Sequence, residues 1–288
     1  MRVGIIVPNQ GSIGVAAVQE LPQYVEDLGF SSIWFSDHVL GMRSFAPVYG
    51  PIWLESLACL AWAAATTSRI RVGTGLVVPY RHPALAAKTI STLDNLCGGR
   101  LEVALVSGWC KSEYYALGVG HRFEERADIT DKAVQLMLRC WAGGEFGWDE
   151  AEFPIRRVQF EPIPLQRPHP PLRIGGHSPA SLRRAAAIGA TWEPFGLPVE
   201  EVARLGSQLD TLAGRAVPRS IQLKIRPDEV ADLAAVLRAY EEDAGCTETI
   251  IDIVSDNLDE LRRTIGDIAA LTGVRADQAA GSSAAATG

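Results

Sequence analysis

Short β-branched runs alternate with longer amphipathic segments along the whole 288-residue chain, the pattern that parallel βα units leave in a sequence. Residues 2–8 form an apolar run of strand length stopped by Pro8. Val18, Leu21, Val25 and Leu28 then recur at helical spacing until Gly29 ends the helix. Pro22 inside that segment predicts a late start or a kink. Further strands are predicted at 32–36, 71–78, 101–107, 172–174, 190–195, 220–225 and 249–254. Helical stripes fall near 54–67, 84–96, 123–142, 180–188, 199–213, 228–243 and 257–271. Eight alternating units predict an α/β fold, a closed (β/α)8 TIM barrel. The alternative, a doubly wound open sheet, usually carries a glycine fingerprint after its first strand, and PNQGSIG here lacks GxGxxG.

The rhythm breaks at residues 144–171, a Pro-rich and aromatic stretch that reads as an inserted hairpin or loop between the fourth and fifth units. Its Phe146, Trp148, Phe153, Arg156, Arg157 and Phe160 suit a lid, a dimer surface or self-packing equally. Residues 274–288 are rich in Ala, Gly and Ser with little to bury and read as a disordered tail, leaving 1–273 as one domain.

Composition narrows the class. With 47% hydrophobic and 21% charged residues the chain can build a large core, and a net charge of -7 disfavours partners that need a basic surface, nucleic acid and anionic membranes alike. Five scattered cysteines without a CxxC pair fit a reducing compartment, the N-terminal apolar run is far too short for a signal core, and no run approaches a membrane span, so a cytoplasmic protein is expected. His121 and His169 show no metal-ligand spacing, and no metal is expected.

In such a barrel the chemistry gathers on the loops after the strands. His38, Thr74, Ser107 and Gly175 all lie at predicted strand ends and converge on one mouth. An imidazole at position 38 can move a proton, or it is a structural histidine pinning the 39–52 loop. Gly73-Thr74-Gly75 interrupts a β-branched strand, which signals either close approach of a ligand or a packing bulge. Gly175-Gly176-His177-Ser178-Pro179 opens a helix with Ser178 as N-cap, a turn suited to an anionic group, with Arg183 and Arg184 one turn on. The bland alternative is a well-capped helix start. Ser107-Gly108-Trp109 with Ser112 and Glu113 offers hydrogen-bonding groups after strand four, with Trp109 either walling a pocket or filling the core. Cys110 has no evident base beside it and reads as inert. Arg81 reads as a contact to an acidic ligand or as a solvated loop charge.

The segment 69–100, RIRVGTGLVVPYRHPALAAKTISTLDNLCGGR, resembles the luciferase-like monooxygenase superfamily, especially its F420-dependent branch. Further matches follow in order: SDHV at 36–39, WLE at 53–55, Gly108-Trp109 with Glu113 and ALG at 116–118, RFEER at 122–126, QRPHPP at 166–171 and GGHS at 175–178. The motifs cover residues 1–196. The resemblance implies the TIM barrel, a possible homodimer, a small-molecule substrate and coenzyme F420 as cofactor. It implies His38 as the acid-base group with Glu113 as the next candidate, and cofactor contacts at Asp37, Thr74, Gly75, Ser107, Gly108, Trp109, Gly175, Gly176, His177 and Ser178. It also implies a bulge with a non-prolyl cis peptide at strand three. Two departures qualify it. Strand four has Ala104, Val106 and Ser107 where relatives are often glycine-rich, and Trp109 stands where one F420 subgroup has a glutamate. The implied activity is hydride transfer between F420 and a small organic substrate. An FMN-dependent monooxygenase on the same fold is the first alternative, and a non-enzymatic F420 carrier is the second.

Overall fold

The computed structural model describes residues 1–42 and 50–275. Its main sheet contains β1 (Arg2–Ile6), β2 (Ser32–Ser36), β3 (Arg71–Val77), β4 (Leu101–Val106), β7 (Leu172–Gly175), β8 (Thr191–Glu193), β9 (Ser220–Ile225) and β10 (Glu248–Ile253). All neighbours are parallel, in the order β8-β7-β4-β3-β2-β1-β10-β9. Bridges Trp192↔Arg219 and Phe195↔Gln222 join β8 to β9 and close the barrel. The remaining strands, β5 (Gly144–Trp148) and β6 (Ile155–Phe160), form an antiparallel hairpin inside the insertion.

Strand alternation sorts the side chains. Val3, Ile5, Val7, Ile33, Phe35, Val72, Leu76, Leu101, Val103, Leu105, Ile221 and Ile251 turn outward and join the helices in one continuous core. The intervening residues fill the barrel. At its floor, Arg173 donates to Glu102 at 2.5 Å, to Glu193 at 2.7 Å and to Glu248 at 2.7 Å. Arg71 joins Glu102, Arg2 reaches Glu248 at 3.0 Å, and the Ser220 hydroxyl donates to Glu193 at 2.7 Å. Burial alone would lower the pKa of Arg173, but the three carboxylates hold it well above the ordinary value. Above this plug lie Ile6, Trp34, Ala104 and Ile250, with the Arg173 guanidinium 4.6 Å from the Trp34 ring centroid.

The helix Gly14–Leu28 begins well before Pro22 and runs through it, so the expected late start is corrected; Pro22 is buried and Gly29, at φ 92°, closes the helix. A short helix, Lys111–Ala116, was not foreseen. Val274, assigned from composition to the tail, packs on the main core. The rest of that expected tail, 276–288, and the 43–49 part of the mouth loop lie outside the described residues.

Candidate active site

β2 ends in Asp37-His38, and the short helix after β4 carries Glu113 beneath them. His38 Nδ1 lies 2.8 Å from the fully buried Glu113 carboxylate. The same carboxylate accepts from the amides of Val39 at 2.6 Å and Leu40 at 3.1 Å and from the Tyr80 hydroxyl at 2.8 Å. Burial pushes the Glu113 pKa up, but these donors outweigh it and hold it below the ordinary carboxylate value. An ionised Glu113 orients the imidazole through Nδ1. The His38 ring also packs edge-on against Trp53 and Trp109, with centroids 4.7 and 5.7 Å away. His38 and Glu113, widely separated in sequence, therefore act as one unit.

Beside this pair the barrel wall is bare. A Cβ built on Gly75 would meet nothing within 4 Å, and its register partner on β4 is Ala104. The space over Gly75 fits the face of a planar ring, whereas Ala104 is packed with Ile6, Trp34 and Ile250. Gly73 has another cause, since a Cβ there would stand 2.6 Å from the Trp34 ring. The cis peptides among the described residues are Glu161-Pro162 and Arg167-Pro168, so the cis bond expected at strand three is absent.

Two expected cofactor contacts take other roles. Thr74 is fully buried, faces the helical layer by alternation with Gly75, and donates to the Phe35 carbonyl at 3.2 Å. The Asp37 carboxylate accepts from Ser56 Oγ at 2.8 Å, the Val77 amide at 2.8 Å and both terminal nitrogens of Arg81 at 2.6 and 2.8 Å. With four donors its acceptor capacity is used, and it ties β2 to β3. Arg81 also reaches Glu55 at 2.9 Å, so it is paired rather than a solvated loop charge.

The other expected residues stay at the rim. Gly108, at φ 73°, keeps the turn after β4 close to Val77. Ser107 Oγ accepts from Thr130 at 3.0 Å. Trp109 is 63% exposed, which excludes the core alternative. Gly175 packs against Val106, and Gly176 adopts φ 96°. His177 is exposed, and Ser178 caps the helix Pro179–Ile188 by accepting from the Ser181 amide at 3.2 Å. That exposed helix start with Arg183 beyond it fits an anionic group, whereas Arg184 is buried and paired with Asp131 at 2.5 Å. Among the described residues no cluster of His, Cys, Asp and Glu could hold a metal ion, and no helix is long and apolar enough to cross a membrane. Burial pushes the Cys59, Cys140 and Cys246 thiols up to about 11.

Sequence reasoning missed the opposite wall, where β9 and β10 present Gln222, Lys224 and Asp252 to the interior. The only signal was a polar residue at alternate positions of otherwise apolar strands.

The chain is similar to three known proteins. The chain is 28% identical over 209 residues to an FMNH2-dependent dimethylsulfone monooxygenase of Pseudomonas putida, covering 72% of this chain and 55% of that protein. It is 27% identical over 271 residues to the pyrimidine monooxygenase RutA of a Bradyrhizobium strain, covering 84% of this chain and 72% of the relative. The chain thus spans about half the length of the first relative and under three quarters of the second. A solved F420-dependent secondary alcohol dehydrogenase shares the fold at a TM-score of 0.77 and 16% identity, covering 93% of this chain and 98% of that one. The luciferase-like monooxygenase family model matches residues 1–247, and the chain belongs to that family.

Proposed function

We propose that this chain is a flavin-dependent monooxygenase that holds reduced FMN over Gly75 and oxygenates a small organic molecule at the mouth. The observation that carries the reading is the His38–Glu113 pair, its carboxylate fully buried, beside the open space over Gly75. FMN is preferred over F420 because a relative with extended sequence similarity is named for FMNH2, whereas the F420 enzyme shares the fold at 16% identity. Bound reduced FMN would supply the electrons and the reactivity towards dioxygen.

The protein's own residues would do the rest. The helix start at Gly176–Ser178 would hold the phosphate through backbone N–H groups and the helix dipole, with Arg183 adding charge. Trp109 and Trp53 would limit how His38 turns and shield the mouth from water. His38 Nε2 would take a proton from the reacting group and return it, with Glu113 stabilising the charged imidazole. Absorbance titrations of the purified protein with FMN and, separately, F420 test the cofactor assignment. FMN should bind more tightly, and the reduced complex should reoxidise rapidly in air. Tighter F420 binding with an air-stable reduced complex would restore hydride transfer as the activity.

A further inference from the structure

One oxygen of Glu113 is shared. Tyr80, in the single helical turn Val78–Tyr80 that follows β3, donates its hydroxyl to Glu113 Oε2 at 2.8 Å, and His38 Nδ1 meets the same atom at 2.8 Å. The other oxygen, Oε1, is taken by the amides of Val39 and Leu40. Glu113 is fully buried and Tyr80 nearly so, which strengthens each of these bonds relative to water. The phenol is also held in place: its ring stands edge-on to Tyr114, with centroids 4.9 Å apart, in a buried cluster with Val77.

The phenol and the imidazole treat that oxygen differently. Burial and the neighbouring carboxylate both push the Tyr80 hydroxyl far above its ordinary value, so it keeps its proton and acts as a fixed donor. The imidazole can gain or lose a charge. The other titratable and charged groups nearby have their own partners. Asp37 is paired with Arg81, Cys110 Sγ lies 3.2 Å from Ser112 Oγ, Lys111 pairs with Glu124, and Tyr114 donates to the Ser107 carbonyl. Arg122 and Arg126, whose charges bear on Tyr114, pair with Glu152 and lie over the Phe123 ring respectively. Trp53 and Trp109 present uncharged rings to His38. A permanent donor on Oε2 therefore draws off part of the negative charge that would otherwise hold a cationic ring.

We propose that Tyr80 is a positioning residue of the active site: by occupying Glu113 Oε2 alongside the imidazole, it weakens the carboxylate's grip on a charged His38 and lets the ring give up its proton at a lower pH than Glu113 alone would allow. An acid-base group must change its charge near the working pH, and an undivided buried carboxylate would hold the ring cationic. Tyr114 is the internal contrast, since it stacks on Tyr80 and follows Glu113 in the chain, yet spends its hydroxyl on Ser107. The consequence for turnover rests on His38 being the acid-base group of the monooxygenase reading, whereas the division of the carboxylate does not.

The experiment follows the His38 ring by heteronuclear NMR through a pH titration of the full chain without flavin. Tyr80→Phe keeps the ring and removes only the hydroxyl, and it should move the His38 midpoint up by about one pH unit, the scale of one hydrogen bond to a charged group. Glu113→Gln should move the midpoint down, and Tyr80→Phe added to Glu113→Gln should have no further effect, as expected when one group acts through the other. Tyr114→Phe should leave the midpoint in place. The acid limb of flavin-dependent turnover should rise with the midpoint in Tyr80→Phe. In the wild type, the Tyr80 ring carbon that bears the hydroxyl should register the His38 titration, a readout that stands even if a variant does not fold. An unmoved or lowered midpoint in Tyr80→Phe, an equal shift from Tyr114→Phe, or a Tyr80 effect that survives in Glu113→Gln would overturn the proposal. So would a turnover limb that stays put, or a wild-type Tyr80 carbon blind to His38. Titrating the wild type with FMN keeps the two readings apart. If FMN fails to bind while the shift persists, the flavin reading falls and the Tyr80 assignment stands; FMN binding with an unmoved midpoint does the reverse.

Discussion

The two ends of this barrel use the same kinds of residue for opposite purposes. At the floor, Arg2, Arg71 and Arg173 balance Glu102, Glu193 and Glu248, and each carboxylate has a cationic partner. At the mouth, one carboxylate, Glu113, is saturated in order to aim His38, and another, Asp252, forms no hydrogen bond or close ion pair among the described residues. The floor carboxylates are satisfied by arginines within the barrel, whereas the mouth carboxylates are handled differently from one another. Charge inside a barrel is thus not one signal. Its meaning depends on whether the partners are already present.

Breaking the floor should have the largest effect on the fold. Arg173→Met leaves three buried carboxylates without their shared cation and should cost about 3–5 kcal/mol, read from urea unfolding. A loss below about 1 kcal/mol would mean that the floor is not a structural plug. The mouth should respond in rate instead. His38→Ala should lower kcat by about 100-fold or more, as expected for a general acid-base group, with an unfolding free energy close to that of the wild type. Equal losses of stability and turnover would make His38 structural.

Glu113 links both behaviours. Its carboxyl is held below the ordinary value of 4.5, so its contribution to stability is fully present above that pH and is lost as the pH falls through the depressed value. Glu113→Gln should therefore flatten the acid limb of the stability profile below the ordinary carboxylate value of 4.5. An unchanged acid limb would show that the carboxylate does not hold the mouth. The smallest expected effect is at the rim. Gly176→Val forces a β-branched residue to a positive φ and should weaken FMN binding by about 1 kcal/mol or more while the floor stays intact. Unchanged FMN affinity would move the phosphate elsewhere.

Much of the fold was legible because period-2 and period-3.6 patterns are local. The predicted β9 span 220–225 matches the observed strand, and the helix 199–213 matches residue for residue. The partners that Asp37, Thr74 and Arg81 take within the protein were not legible, for one shared reason. Motif position gives the strand end, but a side chain's partner is chosen by strands and helices distant in sequence. Lys224 and Asp252 were missed because an isolated polar residue in an apolar strand looks the same whether it enters a salt bridge, meets solvent or waits for a ligand.

The sequence by itself determined the alternation of elements, the barrel, the insertion and the strand-two and strand-four ends that carry His38 and Glu113, since these follow from short-range pattern. Only the tertiary structure decided that Glu113 grips His38, that Asp37 is spent on Arg81, that Arg173 gathers three glutamates at the floor and that Asp252 turns into the barrel. Those pairings depend on which strands become neighbours and which side of each strand turns inward when the sheet closes, and closure is a property of the whole barrel rather than of any segment.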